Sequence, residues 1–147
     1  MVSPNPQRRI FLDSSVLYAA AFSATGPARR LILIGLEGSI TLAISDLMLE
    51  ETKRNLTKNA PLALPSFTIL ADLLSPGITN PTKAQVLKAA QIVHCKDAPI
   101  VAAAVKANAD YLATHDVKHL LSHAQAIADA YVITVLTPDD PLSVLAN

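Results

Sequence analysis

Short apolar stretches alternate along this chain with longer segments whose apolar positions recur at helical spacing. The apolar stretches predict strands over residues 10–12, 41–44, 111–113 and 131–136. The intervening pattern predicts helices over residues 16–22, 28–37, 46–59, 66–74, 83–93, 98–105 and 117–123. Strands that alternate with helices indicate an α/β domain, with three α/β/α layers and a mainly parallel central sheet covered on both faces.

Polar residues at the starts of several helical segments sharpen these boundaries. Ser45 suits an N-cap, and Thr82 with Gln85 has the form of a capping box. Ser14 and Ser15 are expected to cap the first helix in the same way. Asp97 precedes a segment that is apolar on every face, so we predict that its carboxylate caps a buried helix.

Length and composition then limit the class of protein. The chain has 147 residues, which predicts a single domain over residues 1–147, with residues 1–8 as a loose N-terminal segment. It is 51% hydrophobic but only 4% aromatic, so the core must be aliphatic and platforms for base stacking are scarce. Twelve basic and twelve acidic residues give no general attraction for phosphate backbones. Binding of nucleic acid would therefore need a local basic patch.

Two further features predict a cytoplasmic protein without membrane attachment. The lone Cys95 excludes an internal disulfide, fits a reducing compartment, and is expected to be a small filler of the core. Arg8 and Arg9 followed by residues 10–24 loosely resemble a signal peptide, but Asp13 interrupts the apolar part. No apolar run approaches the roughly 20 residues that cross a bilayer.

Acidic residues recur where the predicted strands end and the predicted helices begin. Asp13 ends the first strand, Asp116 follows the third, and Asp97 opens its own helix. Glu50 and Glu51 lie early in the helix after the second strand, about 100° apart, so at most one of them faces a shared site. Because parallel strands end at one edge of a sheet, these carboxylates are expected to converge there.

A cluster of carboxylates is unfavourable unless a cation binds or a pKa rises. Oxygen ligands suit hard divalent ions such as Mg²⁺ or Mn²⁺. Ions of this kind generate a nucleophile from water and brace a phosphate during in-line displacement. The pattern therefore favours phosphodiester hydrolysis.

Four stretches of the chain resemble the motifs of PIN domains, the fold of VapC-type toxin ribonucleases. They are FLDSSVL (11–17), SDLMLEETKRNL (45–56), DAPIVAAA (97–104) and ADYLATHD (109–116), and the resemblance runs from Arg9 to about Leu136. By position, the acids of that family fall on Asp13, Glu51, Asp97 and Asp116, with Glu50 as the alternative to Glu51. Ser15 stands where the family usually has asparagine, and Thr114 would orient a neighbouring carboxylate or water.

The resemblance implies a metal-dependent endoribonuclease that uses Mg²⁺ or Mn²⁺ to cleave RNA. A VapC-like protein would also form a homodimer and be held inactive by a small antitoxin. Two basic pairs are candidates for contacts with RNA phosphates, and each is also compatible with a solvated helix face: Arg29 with Arg30, and Lys53 with Arg54.

Three other interpretations remain open at this level. A PIN-like domain without catalysis would act as a binding or scaffold module. A phosphatase of the haloacid dehalogenase type would need a second acid two residues after Asp13, where Ser15 stands. A zinc site is conceivable because His115, His119 and His123 repeat every four residues near His94 and Cys95, but no second set of ligands has zinc spacing, and His119 and His123 are expected at the surface.

Overall fold

Four short strands form one parallel sheet at the centre of the molecule. In a computed structural model that describes residues 8–140, they are β1 (Arg9–Leu12), β2 (Thr41–Ala43), β3 (Tyr111–Ala113) and β4 (Thr134–Leu136). The order across the sheet is β2-β1-β3-β4, and each neighbouring pair is parallel. All four strands therefore end at the same edge, where open α/β sheets place their ligands.

Helices occupy the connections between these strands. They are α1 (Ser14–Phe22), α2 (Pro27–Leu36), α3 (Asp46–Asn59), α4 (Leu64–Leu74), α5 (Lys83–Ala89), α6 (Ala98–Lys106) and α7 (Ala124–Tyr131). Ile10, Phe11 and Leu12 of β1 are each fully buried, although successive side chains of a strand point to opposite faces. Both faces of the sheet are thus covered, and the predicted three-layer α/β/α arrangement is confirmed.

The capping predictions were correct at α3 and α5 and wrong at α1 and α6, the last of which is described with the site. The Ser45 hydroxyl accepts the Met48 N–H at 3.3 Å, and the capping box at the start of α5 is present. However, α1 begins at Ser14, and its cap is Asp13, whose extended backbone (φ −74°, ψ 158°) lets its carboxylate accept the Ser14 N–H. Ser14 and Ser15 lie inside the first turn instead, and their hydroxyls donate to Glu51 Oε2 and Asp13 Oδ2.

Several element ends differ from the predicted ones for local reasons. Helices α2 and α4 start earlier than predicted because a proline fits the first turn of each. Helix α5 stops at Ala89 rather than Val93, and the turn that follows buries the Val93 side chain. Strand β2 stops at Ala43 because Ile44 pairs with Ile78 as an isolated bridge. Gly77 makes this approach possible, since a Cβ there would lie 2.2 Å from the Leu42 carbonyl oxygen.

The region after β3 contains the largest error of the sequence prediction. Residues 117–123 hold a turn and a short 3₁₀ segment (Leu121–His123), and α7 follows where no helix was expected. Tyr131, the predicted start of the last strand, is the end of α7. Val132 then adopts a left-handed conformation (φ 59°) that stops the helix, and β4 begins only at Thr134. The β-branched residues 132–135 favour a strand, so the sequence pattern did not indicate that a helix ends just before them.

Two predictions concern the ends of the chain. Of the expected loose segment, residues 1–7 lie outside the described residues, and the Arg8 carbonyl oxygen accepts the Thr41 N–H at 2.8 Å. Between residues 8 and 140, no helix is both long and apolar enough to cross a membrane.

Candidate functional site

The topology gathers three of the predicted acids at the edge where the strands end. Asp13 directly follows β1, and Asp116 comes three residues after β3. Helix α6 leads into the opposite end of β3, so it runs back along the sheet and its first turn lies at the same edge. Asp97 precedes that turn, and one of its carboxylate oxygens lies within 4.8 Å of an Asp116 oxygen.

The Asp97 carboxylate does not cap α6 as predicted, because the first turn of the helix offers it no unbonded backbone N–H group. The Ile100 and Val101 N–H groups bond to the backbone carbonyl of Asp97 itself, and Pro99 has no N–H. The backbone of Asp97 is already helical (φ −92°, ψ −16°), unlike the extended backbone of most N-caps. Its side chain makes no capping bond and remains available for another partner.

The burial of Asp97 makes this lack of a partner costly. Four of the nine residues of α6 are alanine, and the helix lies deep enough that Asp97 is only 6% exposed. Its Oδ2 is fully buried and has no hydrogen-bond partner in the protein. A buried carboxylate oxygen without a partner is destabilising by itself, so it indicates a group that awaits a ligand.

The electrostatics around Asp97 combine opposing effects. Burial raises the pKa of the Asp97 carboxyl above its ordinary value, and the nearby imidazole of His119 works against that rise. The negative charge of Asp116 raises the pKa further, whereas the imidazoles of His94 and His123 lower it. A cation placed beside both carboxylates would favour their ionised forms.

His119 completes a compact group with Asp97 and Asp116. One potential ligand atom from each of the three residues lies within 4.8 Å of the others. The His119 Nδ1 is 3.3 Å from Asp116 Oδ2, and the backbone N–H of His119 donates to Asp116 Oδ1 at 3.1 Å. His119 is a surface residue, as expected, but no role at the acids was predicted for it. The sequence feature that could have indicated this contact is the spacing of three residues between Asp116 and His119.

Asp13 lies beside this group but is occupied differently. Its carboxylate accepts three hydrogen bonds, from the Ser14 N–H (2.8 Å), the Ser15 hydroxyl (2.8 Å) and the Thr114 hydroxyl (2.6 Å). It is 4% exposed and is not a member of the 4.8 Å group. Asp13 is therefore held rigidly by polar neighbours, in contrast to Asp97.

Two hydroxyls connect Asp13 to the loop that carries Asp116. The Thr114 hydroxyl accepts the Asp116 N–H at 2.9 Å, and the Ser15 hydroxyl accepts the His115 N–H at 3.0 Å. Each of these hydroxyls also donates to Asp13 Oδ2. Although Ser15 is shorter than the asparagine expected there, it bridges the first acid and the last loop.

The structure distinguishes the two adjacent glutamates of α3. The Ser14 hydroxyl donates to Glu51 Oε2 at 3.1 Å, which links Glu51 to the segment that begins at Asp13. Glu50 is exposed and lines a shallow cavity of about 400 Å³ whose other lining residues include Lys53 and Arg54. Glu51 is thus the glutamate on the side of the acids.

Other candidate residues lie apart from the acids. The Arg29 Nε donates to the Ala20 carbonyl at 2.7 Å, so Arg29 ties α2 to α1, while Arg30 is exposed. Cys95 is exposed in the turn before α6 and is not the core filler that was expected. Of the three evenly spaced histidines, only His119 belongs to the metal-compatible group found among residues 8–140.

The donor set is chemically suited to a divalent cation. Two carboxylates and an imidazole are common ligands of such ions, and one of the two carboxylates, that of Asp97, carries the unpartnered buried oxygen. The acidic group can therefore hold a metal ion at the edge of the sheet where ligands bind.

Comparisons with known proteins agree with this architecture. A search of curated proteins found no match. The crystal structure of PAE2754 from Pyrobaculum aerophilum superposes with a TM-score of 0.64 over 95% of this chain and 90% of that chain, at 22% identity. That likeness shows the fold. The family model of the PIN domain matches residues 9–118, a span that includes all four predicted acids. The chain thus belongs to the PIN domain family, whose members are generally metal-dependent nucleases.

Proposed function

We propose that this protein is a metal-dependent endoribonuclease that hydrolyses RNA phosphodiester bonds. The observation that carries the proposal is the buried, unpartnered Oδ2 of Asp97 next to Asp116, at the edge where the parallel strands end. A fold without a ligand to bind gains nothing from such an oxygen, because an unpaired buried carboxylate lowers stability.

In this proposal four acidic residues bind the metal ion. Asp97 and Asp116, together with Asp13 and Glu51, would hold Mg²⁺ or Mn²⁺. When bound, such an ion supplies a nucleophile from water and neutralises charge that develops on the phosphate. The protein contributes position: the Ser15 and Thr114 hydroxyls fix Asp13, and Thr114 also fixes the backbone of Asp116.

The direct test is cleavage of an end-labelled RNA by the purified protein. We expect internal cuts in the presence of Mn²⁺ and none after addition of EDTA, with activity restored by excess Mn²⁺. Failure to cut any of a panel of structured and single-stranded RNAs, together with no Mn²⁺ binding by calorimetry, would support the non-catalytic scaffold instead.

The two glutamates of α3 offer a matched pair of variants. We expect Glu51→Gln to slow cleavage by about tenfold or more, because its carboxylate is joined to the Ser14 hydroxyl beside Asp13. Glu50→Gln makes the same charge change one residue away on an exposed face, and its effect should be smaller. Initial rates at saturating Mn²⁺ compare the two, and a larger loss in Glu50→Gln would reverse the assignment.

Lys53 and Arg54 are proposed to contact RNA phosphates. Both are exposed on α3, the helix that carries Glu51, and they line one shallow cavity with Lys58. Each phosphate contact on a single strand contributes about 0.7 to the slope of log affinity against log salt concentration. The double change Lys53→Glu/Arg54→Glu should therefore weaken RNA binding and flatten that slope. The double change Lys88→Glu/Lys106→Glu, which alters charge equally on α5 and α6, should not.

We also propose the narrower biology that the resemblance implies, a VapC-like toxin that dimerises and is inhibited by a small antitoxin protein. Exposed apolar side chains support a protein partner: Leu62 is 97% exposed and Phe22 is 65% exposed, and both line one cavity of about 470 Å³. Sedimentation equilibrium of the purified chain tests the homodimer. Suppression of cleavage by the product of an adjacent small reading frame tests the antitoxin.

A further inference from the structure

We propose that His119 is itself a metal ligand, so that the site is a mixed carboxylate–imidazole centre that binds Mn²⁺ and Co²⁺ in preference to Mg²⁺. This inference rests on the proposed function, since it concerns the ion of the same site. It departs from the all-oxygen ligand set that the acids alone would predict.

The first support is the spacing of the three donors. The ligand atoms of Asp97, Asp116 and His119 lie within 4.8 Å of one another. Two ligands of one ion are separated by at most twice the metal–ligand distance, about 4.0–4.4 Å for bonds of about 2.0–2.2 Å. Closure around one ion therefore requires movements of only some tenths of an ångström.

The second support is independent of the cluster and concerns the Asp97 oxygen. Asp97 is 94% buried, and among residues 8–140 its Oδ2 is the one buried side-chain oxygen or nitrogen without a hydrogen-bond partner. By contrast, Asp116 and His119 already contact each other at 3.3 Å. The Asp116–His119 pair therefore lies beside a buried carboxylate that has an unpartnered oxygen, and a cation bound among the three residues would neutralise that carboxylate.

A backbone hydrogen bond fixes the position of His119 relative to Asp116. Its backbone N–H donates to Asp116 Oδ1, so one turn of the chain carries both the imidazole and the carboxylate. Its carbonyl lies 2.7 Å from the Nδ1 of His123, and its ring centroid is 6.4 Å from that of His94. The ring is half-exposed, which leaves one side of the site open to solvent and substrate.

Asp13 is the less suitable third donor for the same ion. Its two oxygens accept three hydrogen bonds, from the Ser14 N–H and from the Ser15 and Thr114 hydroxyls. These bonds occupy most of the positions at which a carboxylate accepts. The His119 imidazole is paired with Asp116 of its own loop, so a small rotation of the ring toward an ion would disrupt fewer hydrogen bonds than a movement of Asp13.

An imidazole ligand changes which ion is favoured. Mg²⁺ prefers oxygen ligands and keeps several waters, whereas nitrogen donors suit transition ions. The affinity of such a site is expected to rise from Mn²⁺ to Co²⁺, following the usual order for first-row ions. With oxygen ligands alone, Mg²⁺ and Mn²⁺ would differ less.

Pulsed electron paramagnetic resonance of the Mn²⁺-loaded protein tests the ligand directly. We expect nitrogen coupling to the bound Mn²⁺ in the unmodified protein and its loss in His119→Gln. Calorimetric titration should show Mn²⁺ affinity reduced by about tenfold or more in this variant, with a smaller reduction for Mg²⁺. His115→Gln, a change at an exposed histidine of the same loop outside the group, should retain the coupling and both affinities.

The outcomes separate this inference from the function on which it rests. Mn²⁺ binding without nitrogen coupling, weakened by Asp97→Asn but not by His119→Gln, would overturn the imidazole ligand and leave the carboxylate site standing. Absence of Mn²⁺ binding to the unmodified protein would overturn both. Nitrogen coupling in the unmodified protein establishes an imidazole ligand whether or not a variant folds, and its loss in His119→Gln but not in His115→Gln assigns that ligand to His119.

Discussion

Replacement of Asp97 by asparagine is expected to abolish RNA cleavage and, at the same time, to stabilise the metal-free protein. The lost activity follows from the removal of a ligand charge, since metal stabilisation of several kcal/mol corresponds to roughly a thousandfold in rate. The gained stability follows because Oδ2 of Asp97 is buried without a partner. An unsatisfied buried group costs about 1–3 kcal/mol, and removal of its charge recovers part of that cost.

The same change should alter the dependence of stability on pH. Burial raises the pKa of Asp97 above its ordinary value, so the folded protein holds this proton more tightly than the unfolded chain does. The resulting stabilisation is present below the ordinary pKa of the carboxyl and is lost as pH rises through the raised pKa. In metal-free buffer, the free energy of unfolding of Asp97→Asn should therefore fall less over that interval than that of the unmodified protein.

Urea unfolding with and without Mn²⁺ measures both effects. The unmodified protein should gain stability on addition of Mn²⁺, because an ion that binds only the folded state shifts the equilibrium, whereas Asp97→Asn should gain little. Asp129→Asn is the matched control, since Asp129 is exposed on α7 and contacts only Gln125 among the described hydrogen bonds. A metal-free Asp97→Asn protein less stable than the unmodified one would show that the carboxylate has a structural role.

The sequence around Asp97 resembles that of an ordinary helix cap, so it did not reveal that the carboxylate is buried without a partner and destabilising. An aspartate before an apolar helix with proline in its first turn normally caps that helix. Here Pro99 removes one donor, and the carbonyl of Asp97 takes the next two. Only the three-dimensional arrangement shows that the carboxylate makes no capping bond, so the predicted cap is wrong although Asp97 lies at the edge of the sheet where it was expected.

The sheet was predictable because its signals are local and agree with one another. Residues 10–12 and 111–113 are short apolar runs that end at polar residues, and both form strands as expected. The region of residues 117–133 was not predictable in the same way. Its histidines are spaced like a helix face, yet they fall in a turn and a 3₁₀ segment, and the β-branched residues after Tyr131 imitate a strand. The prediction consequently gave His119 no role with the acids, although its Nδ1 lies 3.3 Å from Asp116 Oδ2.

Thr114→Val is expected to lower cleavage by about 10–100-fold without removing any proposed ligand. The Thr114 hydroxyl is fully buried; it donates to Asp13 Oδ2 at 2.6 Å and accepts the Asp116 N–H at 2.9 Å. Valine has nearly the same shape but cannot make either bond. The first acid then loses one of its three donors, and the loop that carries Asp116 keeps only the Ser15 hydroxyl as a side-chain link to Asp13.

A loss of stability of about 1–3 kcal/mol should accompany this change, because the Asp116 N–H loses its acceptor and Asp13 Oδ2 loses one of its two donors. Thr114→Ser keeps the hydroxyl and removes only a buried methyl group, so it separates the hydrogen bonds from packing. We expect serine to restore Mn²⁺ affinity and most of the cleavage rate, even where it does not restore the midpoint of urea unfolding. If Thr114→Ser were as inactive as Thr114→Val, the packing of residue 114 would position Asp116, and the hydrogen-bonded path from Asp13 would have no part in it.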